Sequence, residues 1–135
     1  MNVPPTDGIQ VPSEDLGEQV FIIYRSVPIQ EEDARLVADL LVDTDLRGVV
    51  SHGVTQVERY VRSYQEGKMN PRPEVQVLNE GPVTAALSGD GGLGMIVAAR
   101  AMHMAIARGR ELGVGIVTTT WVVRVNTCAW RCGRI

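Results

Sequence analysis

The sequence predicts an α/β chain: an N-terminal helical region over residues 1–73, the start of an α/β domain over 74–120, and an atypical tail over 121–135. Three observations predict it. Apolar residues recur at helical spacing through three successive stretches before Gly67. Two short β-type runs follow, parted by Asn79-Glu80-Gly81-Pro82. A glycine-rich turn then opens a long Met- and Ala-rich stretch, which ends at Gly113 and passes into a short apolar run.

Residues 1–12 hold three prolines and a glycine and read as an extended lead-in. The first helix is expected to start at Ser13 as N-cap, with Glu14 and Asp15 in the first turn, where the helix dipole favours acids. Leu16, Val20, Ile23 and Val27 then fall on one face, and Pro28 ends the helix. A second helix begins near Gln30, with Glu31, Glu32 and Asp33 in its first turn. Ala34, Val37, Ala38 and Leu41 give it an i, i+3, i+4, i+7 stripe, and it ends before Arg47-Gly48. The third is expected from His52 to Gln65, lined by Val54, Val57, Val61 and Tyr64, with Gly67 at its end.

Asn70-Pro71-Arg72-Pro73 reads as a linker, followed by strands over Val75–Leu78 and Thr84–Leu87. A long helix over Gly94–Leu112 is supported by Met95, Ala98, Ala99, Met102, Ala105 and Ile106, and Val114–Thr119 reads as a buried strand. The methionines read as packing. His103, alone among them, is assigned no role.

Composition narrows the function. The net charge of −3 is spread along the chain, with no basic patch for nucleic acid. No apolar run is long enough for a membrane span, and Met1-Asn2-Val3-Pro4-Pro5 does not resemble a signal peptide, so the expected compartment is the cytoplasm. Both tryptophans and both cysteines lie in the last fifteen residues. Cys128 and Cys132 alone cannot close a four-ligand zinc site, and no metal is expected. Twelve Arg against one Lys suggests a GC-rich coding sequence, in which a frame slip yields Arg, Trp, Cys and Gly codons. Trp121–Ile135 therefore reads as an out-of-frame or truncated tail, with a divergent C-terminus as the alternative.

The chemistry-bearing segment is Arg47-Gly48-Val49-Val50-Ser51-His52-Gly53-Val54. A histidine, with its ordinary pKa near about 6.5, can hand a proton to a carbonyl oxygen or take it back. Ser51 can hydrogen-bond substrate or hold the histidine tautomer. By spacing alone the segment reads equally as a helix start, with Ser51 as N-cap and His52 in the first turn. Tyr60, eight residues after His52, lies about two helical turns on and can reach the same cavity or serve as a half-buried core residue. Arg47 has Asp43 and Asp45 within reach and reads as structural. Gly89-Asp90-Gly91-Gly92-Leu93-Gly94 formally matches a dinucleotide fingerprint, but no acidic residue follows the next strand to hold ribose hydroxyls. A tight strand-to-helix turn is the better account.

The order DLRG-x-x-SHGV, ERYV, G-x-x-NP, DGG-x-G and then a Met/Ala-rich helix ending in GVG resembles the malate/L-lactate dehydrogenases of the non-Rossmann type, which include ureidoglycolate and sulfolactate dehydrogenases. The resemblance spans roughly residues 9–120. It implies a mixed-sheet, sulfolactate-dehydrogenase-like fold of which only the start is present. It implies NAD or NADP as cofactor, a small 2-hydroxy or 2-oxo acid as substrate, and a homodimer for a full-length homologue. In this family the SHG segment lines the active site, making His52 the expected catalytic residue and Ser51 and Tyr60 the expected substrate-binding residues. No cofactor-binding residue is assigned.

The chain also departs from the family pattern. Val49-Val50 stands where the family usually has His-Asp or His-Glu, and Gln56 where it often has Arg. Thr118-Thr119-Thr120-Trp121 stands where an Asn-His-x-Gly segment is expected, and family members run to more than twice this length. The expected function is therefore an NAD(P)-dependent oxidoreductase present as an incomplete, inactive chain. The alternative is a non-catalytic fragment acting as a helical association module.

Overall fold

A computed structural model describes residues 8–120. The tail over 121–135, with its tryptophans and cysteines, lies outside the described residues. Four helices, two short 3₁₀ turns and three strands are found among the described residues.

α1 spans Ser13–Tyr24. Ser13 is its first helical residue rather than its N-cap; Pro12 takes that position, and its carbonyl accepts the Leu16 N–H at 3.0 Å. The buried face also differs from the expected one. Val20, Phe21 and Tyr24 are buried, whereas Ile23 is exposed. Aromatic rings at 21 and 24 turn the helix toward its neighbours and rotate Ile23 outward. α2, Glu31–Leu46, buries the expected stripe of Ala34, Val37, Ala38 and Leu41.

The expected helix from His52 does not run unbroken. Val50–His52 and Val54–Gln56 form two 3₁₀ turns, and α3 covers only Val57–Gln65. Gly53, between them at φ −90 and ψ −142, stops the intrahelical ladder. α2 and α3 end alike. Gly48 and Gly67 take positive φ, so that the next residue reaches back: Val49 N–H to Thr44 O at 3.0 Å, Lys68 N–H to Ser63 O at 2.9 Å. This is the Schellman arrangement, which satisfies carbonyls that have no partner within the helix.

β1 (Gln76–Glu80) and β2 (Thr84–Ser88) pair antiparallel, with a bulge between Val77 and Asn79. β2 then leads through α4 (Gly94–Leu112) to β3 (Ile116–Thr120), which pairs parallel to β2. The sheet is therefore mixed, in the order β1-β2-β3. β3 is not the buried strand expected of Val114–Thr119. Its residues alternate between exposed and half-buried, because α4 covers one face only.

One core joins the two parts. Val20, Phe21, Tyr24, Val27, Ala34, Val37, Ala38 and Leu41 pack with Val57 and Tyr64 of α3 and with Leu93 and Ile96 at the start of α4. An ion pair reinforces the junction: Arg100 of α4 reaches the Asp33 carboxylate at 3.2 Å and donates to the Pro73 carbonyl at 3.2 Å. Among the described residues, no helix is long and apolar enough to cross a membrane.

Candidate active site

The Ser-His turn is built on the end of α2. The Val49 carbonyl accepts the His52 N–H at 2.9 Å. The Thr55 hydroxyl donates to Val50 O at 2.8 Å, and the Gln56 amide donates to Ser51 O at 2.8 Å. Gln56, placed where a cation was expected from the family pattern, is thus used to brace the turn.

Ser51 Oγ and His52 Nδ1 are hydrogen-bonded at 2.8 Å, and both side chains are exposed. With the hydroxyl donating, the imidazole proton sits on Nε2; with it accepting, the proton sits on Nδ1. Nε2 makes no hydrogen bond among the described residues, so it is available to a ligand arriving from solvent. A serine that holds the ring of an exposed histidine leaves the second ring nitrogen free to donate or accept a proton.

Tyr60 lies on α3, half-buried against the core cluster, with the Arg59 guanidinium 5.5 Å from its ring centroid. It makes no hydrogen bond with Ser51 or His52. The structure therefore brings Ser51 and His52 together and places Tyr60 on the far side of the Gly53 break, facing the core. Arg47 pairs with Asp43 at 2.7 Å and leaves Asp45 free of it.

Asp45 is the residue that sequence reasoning passed over. Its Oδ2 accepts the Val54 N–H at 3.0 Å, immediately after Ser51-His52-Gly53. A signal was present: the last turn of α2 carries acids and no base, opposite to what the dipole favours. An acid in that place has other work to do.

The glycine turn does not form a dinucleotide cradle. Its backbone groups are taken up within the fold: Gly89 N–H to Thr120 O at 2.8 Å, Gly92 N–H to Gly89 O at 2.8 Å, and Asn70 N–H to Gly91 O at 2.9 Å. Asp90, at φ 47, is held in the left-handed region by Asn70 Nδ2, which donates to its carboxylate at 2.8 Å. A Cβ on Gly92 would come within 2.6 Å of Pro73. The Asn70-Pro71 segment is thus a clasp on a tight strand-to-helix turn. Among the described residues there is also no group of three or more side chains able to hold a metal ion.

A helical layer packed onto a mixed sheet through a β-α-β unit, with an exposed Ser-His turn at the helical edge, defines an α/β protein. The malate/L-lactate dehydrogenase family profile matches residues 11–131, and the chain belongs to that family. It is similar to the malate dehydrogenase of Pyrococcus horikoshii, at 43% identity over 81% of this chain and 30% of the relative. It is similar also to the L-sulfolactate dehydrogenase of Methanocaldococcus jannaschii, at 39% identity over 74% of this chain and 29% of the relative. The solved structure of the Pyrococcus horikoshii malate dehydrogenase superposes with a TM-score of 0.82 at 41% identity, covering 85% of this chain and 33% of that one. The chain thus spans under a third of the two curated relatives' lengths, and the matched range runs past Thr120, where the sequence resemblance was placed to end.

Proposed function

We propose that the chain supplies the proton-handling part of an oxidoreductase site that interconverts small 2-hydroxy and 2-oxo acids. The exposed Ser51–His52 hydrogen bond at 2.8 Å is the observation that carries this reading. His52 Nε2 gives a proton to the substrate oxygen in reduction and takes it back in oxidation, while Ser51 holds the ring. Tyr60, half-buried on α3, is the further residue we assign to substrate binding.

NAD or NADP is the cofactor that family membership implies, supplying hydride to the substrate carbon. The glycine turn, with the N–H groups of Gly89 and Gly92 already bonded within the fold, offers it no cradle. Because the chain spans 29–30% of its relatives, these 135 residues alone are expected to be inactive. In a full-length homologue the expected assembly is a homodimer, and the expected compartment is the cytoplasm.

The chain contains two histidines, so imidazole NMR tests the reading directly. Titration with oxaloacetate or pyruvate should shift the His52 signals saturably and leave those of His103 in place. Unmoved His52 signals would reject the site. Turnover of either acid with NADH by the purified chain would overturn the expectation of inactivity.

A second reading, a non-catalytic helical association module, is favoured by one surface. Exposed Ile23 on α1 borders an open groove of about 570 Å³ with Val54, Val57 and Val61. This reading predicts a concentration-dependent oligomer indifferent to NADH. The enzymatic one predicts thermal stabilisation by NADH.

A further inference from the structure

We infer that Asp45 is the positioning residue of the Ser51–His52 pair, setting the geometry of the turn by filling the space that a side chain at position 53 would otherwise occupy. The inference rests on reading that pair as the candidate site.

Three independent observations converge on it. Asp45 Oδ2 accepts the Val54 N–H at 3.0 Å, which fixes the backbone two residues after His52. Asp45 Oδ1 is buried and has no hydrogen-bond partner among the described residues, so it is held by packing and not by a second bond. The group it packs against is Gly53, where any Cβ would overlap the Asp45 carboxylate. Position 53 thus has no room for a side chain while the Asp45 carboxylate stays where it is. Carboxylate and glycine fit each other as a pair, and the turn between them carries Ser51 and His52.

The effect passes from Asp45 through the Val54 amide and the Gly53 backbone to the plane of the His52 ring. Asp45 makes no hydrogen bond to the imidazole, whose Nδ1 is bonded to Ser51; it acts through the backbone. An uncapped Val54 N–H and a vacated space beside Gly53 would let the 3₁₀ turn over Val50–His52 relax, and the Ser51–His52 bond would loosen with it.

The test reads the His52 imidazole ¹⁵N and ¹H shifts in the full chain, with His103 as an internal control and a thermal melt to confirm folding. Asp45→Ala should move the His52 signals toward those of Ser51→Ala and leave His103 in place. Asp45→Asn keeps an acceptor for Val54 and should restore nearly the native spectrum. Gly53→Ala should give the same displacement as Asp45→Ala, and the double variant should show less than the sum, as expected for groups in contact. Native His52 signals in Asp45→Ala, or strictly additive effects in the double variant, would overturn the inference. Should Asp45→Ala fail to fold, Gly53→Ala carries the test, because its Cβ displaces the same carboxylate; native His52 signals there would be equally fatal. The readout needs no ligand, so a failed titration with 2-oxo acids would reject the proposed function and leave this inference standing, and the reverse also holds.

Discussion

The helical layer and the sheet use similar apolar residues to different effect. In the helical layer, Tyr24, Ala34, Val37, Ala38 and Leu41 are completely buried, and three helices close around them. In the sheet, every residue of β1 is exposed, and β3 buries none of its residues. Apolar character therefore does not decide burial here; the number of layers does. A helix that meets two neighbours has its stripe covered, whereas a strand covered on one face leaves every second side chain in water. β2 shows this within five residues, burying Ala85 and Leu87 and leaving Thr84 exposed.

The sharpest way to break the comparison is to truncate one apolar residue on each side. Leu41 is 0% exposed and Ile116 54% exposed. Leu41→Ala should cost about 2–5 kcal/mol, the range for a leucine deleted from a packed core. Ile116→Ala should change stability by less than about 0.5 kcal/mol, as an exposed position does. Urea denaturation of both variants measures the difference. Equal losses would mean that the sheet is covered in solution by something that shields Ile116.

The junction between the two regions offers the next largest effect. Asp33 is buried, and its partner Arg100 comes from the other side of the molecule. Arg100→Met should leave the Asp33 carboxylate without its cation and remove the donor to Pro73. Loss of one partner of a fully buried pair costs about 3–5 kcal/mol. The Arg100 side chain is more than a third exposed, so water screens the pair, and about 1–2 kcal/mol is the expected cost. Asp33→Asn in the same background should recover part of it. If Arg100→Met were silent, α4 would be held by Leu93 and Ile96 alone.

How far the sequence carried the reading follows the same division. α2 and α4 were legible nearly to the residue, because long periodic stripes bounded by glycines leave little choice. The two strands were found with shifted ends, since β1 is an exposed edge with a bulge and no burial pattern to mark its register. The site was legible as a motif and not as a geometry. Ser51 and His52 stand out in the chain, but their 3₁₀ turns depend on Asp45, and a contact nine residues apart has no helical or strand period. Likewise Ile23 lies on the apolar face by spacing, and only the rings of Phe21 and Tyr24 decide which side of α1 turns inward. The glycine turn reads in sequence as a tight strand-to-helix turn, and the hydrogen bond from Asn70 to Asp90, twenty residues apart, has no sequence period to announce it.

The smallest effect sharpens the comparison from within the core. Burial pushes the hydroxyls of Tyr24 and Tyr64 well above the usual tyrosine range, with Tyr64 and then Tyr60 adding to the first and Asp33 to the second. Neither hydroxyl has a hydrogen-bond partner among the described residues. A raised folded-state pKa means that the neutral form is favoured by folding. The stability tied to it is fully present below the unfolded value of about 10 and is lost as pH rises from there toward the folded value. Each tyrosine should cost about 1 kcal/mol at one pH unit above 10. Thermal melts between pH 8 and 11 should therefore show the melting temperature falling above pH 10. Tyr24→Phe and Tyr64→Phe should each blunt that fall. At neutral pH both should be close to neutral in stability, because neither removes a hydrogen bond seen in the fold. A marked loss at neutral pH would show that the hydroxyls are partnered in solution, and would make this the more polar of the two regions at its centre.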